Sequence, residues 1–189
     1  MAVRFIVLFI FAYILGSVNF SIILFKLAGK GDPRHKFSKN AGATNVYRQA
    51  GMFWALAVLI LDMGRAMIVA YASLHLLDTA YVTWMGLALI LGNRYPLFHG
   101  FKGGKGVANY LGFTLVLAPP AVPAACLAWA LCYLFFRMPF ASSFAMTIIL
   151  AAGTMNVGLG SFAWVAGTAV TALLIFYNHK DNVMEKLKA

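Results

Sequence analysis

Seven apolar runs decide what this chain can fold into. They cover about residues 4–27, 51–75, 79–98, 104–119, 120–137, 139–153 and 160–178. A helix needs roughly 20 apolar residues to cross a ~30 Å hydrocarbon core, and the longer runs reach that length. The runs between 79 and 119 are read as a broken pair around a glycine-rich loop, because 104–119 is short and meets Pro119 and Pro120. Irregular backbone is tolerated at membrane depth only where protein buries it or where it lines a polar cavity. Composition agrees: the 189 residues are 62% hydrophobic and 11% charged, against about 45–50% and 25% in soluble domains. The expected fold is therefore all-α: a polytopic membrane helical bundle of about seven transmembrane helices, with 1–189 as one domain and the monomer as the working unit. The first run has an arginine ahead of it, as a signal peptide would. It continues to Leu27, however, and its basic cluster follows the run instead of leading it.

Net charge is +10, from 15 basic and 5 acidic residues. The basic residues sit between apolar runs, so orientation and anionic ligands explain them, and no nucleic-acid partner is expected. With seven spans, the segments 26–50, 94–105, 137–138 and 179–188 share one side. They hold 13 of the lysines and arginines, against Arg4 alone on the other side, with Arg65 inside a run. That asymmetry places the basic side in the cytoplasm, the N-terminus outside and the C-terminus inside. Cys126 and Cys132 lie six residues apart in one apolar run and face different directions on a helix. Neither a disulfide, a metal site nor a cofactor is expected.

Positive-inside loops need lysine and arginine, but not clusters of Ser, Thr, Asn and Gly. Four clusters exceed that need. "HKFSKNAGATNVYRQAG" (35–51) offers Ser38, Asn40, Thr44, Asn45 and Arg48, a donor-rich set suited to phosphate oxygens, with Asn45 and Arg48 one helical turn apart at the expected start of the second span. The plain alternative is a solvated loop with a helix cap. "LDMGRAM" puts Asp62 and Arg65 at i, i+3, roughly 16 Å below the start of their span. An ionisable pair at that depth marks a functional or structural site. "GFKGGKGVAN" (100–109) has Lys102 and Lys105 among Gly103, Gly104 and Gly106, leading into a helix whose N–H groups and dipole suit an anion. It lacks the Gly-Lys-Ser/Thr of an ATPase loop. "YNHKDN" (177–182) sets His179 and Asn182 at i, i+3. In the seven-span topology the first, third and fourth clusters share the cytoplasmic side. A transporter of a small phosphorylated anion would also use glycine loops and buried charges. Against it, no internal repeat is visible, the chain is short, and the donors gather on one face.

The order Gly16-Ser17, "SKNAGATNVYR", "LDMGR", "GNRYPLFHGFKGGKGVAN" and "HKDN" resembles the bacterial membrane glycerol-3-phosphate acyltransferases that use acyl phosphate, the PlsY family. The similarity runs over nearly the whole chain. That family usually reads Gly-Ser-Gly-Asn-Pro-Gly-Ala-Thr-Asn in the first motif, where Phe37, Lys39 and Ala41 replace two glycines and the proline. Its Asp-x-x-Lys-Gly is Asp62, Arg65, Ala66, and its Gly-His is Gly92-Asn93.

The resemblance implies acyl transfer from acyl phosphate to sn-glycerol 3-phosphate at the cytoplasmic side of a bacterial inner membrane. It implies membrane lipid as environment and an acyl-phosphate-forming enzyme as a partner. Lys105 and the 103–106 backbone are expected to hold one phosphate. Ser38, Thr44, Asn45 and Arg48, with Asn40 and Lys102 nearby, hold the other or the leaving group. His179 and Asn182 orient the acceptor, with the proton passing to His179 or to a phosphate oxygen. Acyl phosphate is already activated, so many donors and few bases suffice. No histidine has Asp five residues on, the spacing of thioester-dependent glycerolipid acyltransferases.

Overall fold

The computed structural model describes residues 1–188, and among these the only regular structure is helical. The first apolar run does not form one helix. It breaks into α1 (Ala2–Ser17) and α2 (Phe20–Leu27), with Asn19 capping α2 by accepting the Ile22 N–H at 3.2 Å. The Asn45 and Arg48 segment is likewise its own short helix, α3 (Ala43–Ala50), and not the start of the second span. Gly51, at φ +85°, separates it from α4 (Met52–Leu76). A positive φ is where glycine has no Cβ penalty.

The remaining helices are α5 (Val82–Arg94), α6 (Val107–Leu117), α7 (Ala121–Phe136), α8 (Pro139–Val157), α9 (Phe162–Asn178) and α10 (Lys180–Leu187). Prolines set several boundaries: Pro119 and Pro120 fall between α6 and α7, and Pro139 opens α8, where a missing N–H costs nothing. Three segments are long and apolar enough to cross a membrane: Ala2–Leu27, Met52–Leu76 and Pro139–Val157. The α9–α10 pair, bent by 44°, makes a fourth if counted as one span. At 1.5 Å per residue α5 and α6 reach only about 20 and 16 Å, and they flank the glycine loop.

One close helix crossing, α1 on α5, holds the bundle beside that loop through two glycines. A Cβ on Gly16 of α1 would lie 2.1 Å from Leu89 O on α5, and one on Gly92 would lie 2.1 Å from Tyr13 O. Backbones this close exclude any side chain, the small-residue packing that membrane bundles use in place of a hydrophobic drive. The core collects Ala66, Val69, Met85, Leu89, Phe113 and Trp164 in one cluster, and Ile90, Tyr110, Leu150 and Ile175 in another. Phe25, Val46, Ala55 and Val58 join α2, α3 and α4. The outside is apolar too: Ile6, Ile10, Ile60, Leu127, Leu134 and Phe135 are exposed, as a lipid-facing surface requires. Cys126 and Cys132 are unpaired on α7.

Candidate functional site

The glycine-rich segment folds as a compact loop between α5 and α6. Its first half closes onto the end of α5: the Gly103 N–H donates to Arg94 O at 3.0 Å and the Gly104 N–H to Asn93 O at 2.9 Å. Both groups were expected in a phosphate cradle, yet both are already bonded. These glycines serve close approach instead. A Cβ on Gly103 would lie 2.0 Å from Asn93 O, and one on Gly104 would lie 2.7 Å from Ala41 O. From Gly103 to Tyr110, the N–H groups with no acceptor among the described residues are those of Lys105 through Asn109. The donor array thus sits two residues further on, at the start of α6, where the helix dipole adds to it.

Side chains from the last motif meet this loop. Lys105 Nζ donates to Asn182 Oδ1, and Asn178 Nδ2 donates to Lys105 O at 3.3 Å. Burial, helped by the charges of Arg94 and Arg48, pulls the Lys105 ammonium down to about 8. His179 is buried at the junction of α9 and α10. Its Nδ1 lies 2.8 Å from Ile175 O, which can only accept, so Nδ1 carries the proton and Nε2 keeps its lone pair. Burial and the field of Lys105 hold the imidazole at about 4, so it is neutral at physiological pH.

The first motif divides into scaffold and display. Asn45, expected as a phosphate donor, is 1% exposed. Its Nδ2 donates to Pro33 O (2.8 Å), Asn40 O (2.9 Å) and Lys36 O (3.3 Å), and its Oδ1 accepts the Ser38 N–H at 3.3 Å. It therefore shapes the loop and has no donor left for a ligand. Ser38, Thr44 and Arg48 are exposed around it, with no side-chain partner among the described residues. Arg48 lines a cavity of about 360 Å³ with Lys30 and Lys36 and no carboxylate. The Lys102 side chain is exposed, outside the convergence at Lys105.

Two arginines connect the motifs. Arg34 pairs with Asp32 at 2.6 Å and donates through Nη1 to His99 O and Lys102 O, each at 2.7 Å. Arg65 pairs with Asp62 at 2.9 Å, both about 5% exposed. It also donates to Asn109 Oδ1 (2.7 Å) and Asn93 Oδ1 (3.4 Å), and to the carbonyls of Leu15, Gly16 and Val18 at the end of α1. Sequence reasoning missed Asn19, Arg34, Arg94, Asn109 and Asn178 as members of this assembly. The available signal was asparagine inside or at the edge of an apolar run, where an unpaired amide is costly.

Comparison with known proteins identifies the family. The family described as glycerol-3-phosphate acyltransferase matches residues 6–189. The chain belongs to the glycerol-3-phosphate acyltransferase family. Its relatives include the glycerol-3-phosphate acyltransferases of Jannaschia sp. (strain CCS1), 40% identical over 91% of this chain and 84% of that one, and of Pseudomonas fluorescens (strain Pf-5), 40% identical over 93% and 92%. Two crystal structures of PlsY (YgiH), an integral membrane glycerol 3-phosphate acyltransferase, superpose closely. The glycerol 3-phosphate form gives a TM-score of 0.89 at 35% identity, and the lysophosphatidic acid form 0.86 at 34%; each covers 97% of this chain and 92% of the other.

This glycerol-3-phosphate acyltransferase departs from its family's pattern at positions with a clear backbone meaning. Phe37 and Lys39, where the pattern has glycine, keep left-handed φ values of +51° and +53°. The loop has retained a glycine-type path with side chains that disfavour it.

Proposed function

We propose that the chain transfers the acyl group of an acyl phosphate to the hydroxyl of sn-glycerol 3-phosphate, giving 1-acylglycerol 3-phosphate (lysophosphatidic acid) and phosphate. The observation that carries this reading is the meeting of Lys105, the unpaired N–H groups of α6, Asn182 and neutral His179 at one end of a lipid-facing bundle. The family's activity and the two ligand forms of PlsY support it.

In this reading one phosphate rests on Lys105 and the α6 N-terminus. The other meets Ser38, Thr44 and Arg48, with Asn40 and Lys102 at the edge of the site. Asn182 and His179 Nε2 orient the acceptor hydroxyl. The hydroxyl oxygen attacks the acyl carbonyl, the carbon–oxygen bond to phosphate breaks, and phosphate leaves with the electron pair. The hydroxyl proton passes to a phosphate oxygen, because an imidazole held at about 4 is a weak base; His179 acts as the accepting hydrogen-bond partner. Asn45 acts through the loop it folds, and Asp62 and Arg65 through the bundle.

The lysine and arginine distribution supports about seven passes of a bacterial inner membrane, N-terminus out and C-terminus in, with the site at the cytoplasmic face. The chain works as a monomer, supplied by an enzyme that forms acyl phosphate. The test is phosphate release from palmitoyl phosphate by purified protein, with and without glycerol 3-phosphate. Release should depend on the acceptor, and Lys105→Ala should lower it by about 10²–10³-fold. Release indifferent to the acceptor, or unchanged in Lys105→Ala, would sink the reading.

A further inference from the structure

We propose that Arg65 is the positioning residue for both phosphate-facing loops, so that one buried guanidinium sets their spacing. The inference rests on the acyltransferase reading for the identity of what those loops bind. Its geometry stands separately.

Two paths of direct contact leave the guanidinium. The first reaches the glycine loop. Arg65 Nη2 donates to Asn93 Oδ1, and the carbonyl of the same Asn93 accepts the Gly104 N–H at 2.9 Å. Arg65 Nε and Nη2 both donate to Oδ1 of Asn109, at 3.2 and 2.7 Å, in the first turn of α6 beside its unpaired N–H groups. The second path reaches the first motif. Arg65 Nη1 donates to Leu15 O (3.0 Å), Gly16 O (3.2 Å) and Val18 O, which ends α1 and hands the chain to Asn19. Asn19 Nδ2 donates to Ala41 O at 3.3 Å. The paths rejoin there, because Gly104 is packed against that same Ala41 carbonyl. The Phe20 ring covers the guanidinium, with its centroid 5.2 Å from Cζ.

This chain has arginine where the family pattern has lysine, and Asn93 where it has histidine, and its own contacts use the guanidinium. A guanidinium carries five donors in a fixed plane, whereas a lysine ammonium carries three on a flexible stem. Here three carbonyls, two asparagine oxygens and a carboxylate share those five donors. At 5% exposure little water can take the place of a lost bond. With Asn93 in place of the pattern's histidine, lysine would leave several of these buried acceptors bare, and the loops would drift relative to each other. Misplacing reacting groups by about 1 Å can cost 10²-fold in rate.

The experiment uses Arg65→Lys in detergent micelles, assayed below its melting temperature. KM for both phosphate substrates should rise by about tenfold or more, since loops that drift lose ground-state phosphate contacts as well as rate. Hydrogen exchange should show lost protection at the bonded amides of Gly103, Gly104 and Tyr110 and at those of Ser38, Lys39, Asn45 and Val46 together, while α7 and α8 keep theirs. Asn109→Ala cuts one branch of the first path and leaves the second intact, so it should expose Gly103, Gly104 and Tyr110 alone; it also serves if Arg65→Lys fails to fold. Unchanged KM values with a reduced folded fraction, or exchange confined to 15–18 and 62–65, would overturn the proposal. A wild-type protein without acyltransferase activity would instead sink the functional reading, and hydrogen exchange would still decide the role of Arg65.

Discussion

Arg34 and Arg65 make the same kind of knot in different surroundings. Each pairs with a nearby carboxylate and donates to backbone carbonyls of other segments, and Arg65 donates to two asparagine side chains as well. Arg34 and Asp32 have side chains 24% and 22% exposed, whereas Arg65 and Asp62 are at 4% and 6%. Water can replace most of what Arg34 does, and salt screens its ion pair. At Arg65 the desolvation has already been incurred, so removing one partner leaves the others unsatisfied. The outer knot tunes the loop at His99–Lys102; the inner one decides whether the loops meet.

Arg65→Met gives the largest break in this comparison. It strands Asp62 and the α1 carbonyls, and should destabilise the protein by about 3–5 kcal/mol, read as a lower melting temperature in detergent. The lysine between the two knots gives the next effect. Lys105 titrates at about 8 in the empty site, below its ordinary 10.5. Its charge is lost as pH rises through 8, so KM for the phosphate it holds should climb by up to about tenfold per pH unit above that point. Lys105→Arg should flatten this limb, because a guanidinium stays charged. Folding responds with the opposite sign: the unfolded chain binds the extra proton between about 8 and 10.5, so stability rises with pH there. Arg34→Ala should cost only about 1 kcal/mol in thermal unfolding, and less in high salt. The smallest effect is a gain. Lys39→Gly relieves a left-handed residue by about 1–2 kcal/mol but frees the unfolded chain by about 0.4–1, leaving a net increase of about 0.5 kcal/mol in the same melting assay.

The contrast also shows what could be read from the residues alone. Apolar runs announced most of the helices, because hydropathy acts residue by residue. The break at Val18–Asn19 was hidden, since its cause, Arg65, lies 47 residues along the chain from Val18. The glycine loop was expected as an anion site, yet which N–H groups remain free depends on Asn93 and Arg94 closing its first half. Asn45 looked like a ligand because an amide has donors; only the folded loop shows that Pro33, Lys36 and Asn40 have taken them. His179 was suggestive by type, and its tautomer became legible only with Ile175 O in place.

The broken first helix carries a consequence for how the protein is made. Its apolar run can enter the bilayer as one uninterrupted rod, since Gly16 O and Val18 O find no donor at the break within their own 26 residues. The kink becomes favourable only after α4 has delivered Arg65, and Asn109 arrives later still with α6. Membrane insertion is thus an ordered assembly, in which the earliest segment waits straight for a charge that the ribosome has yet to supply.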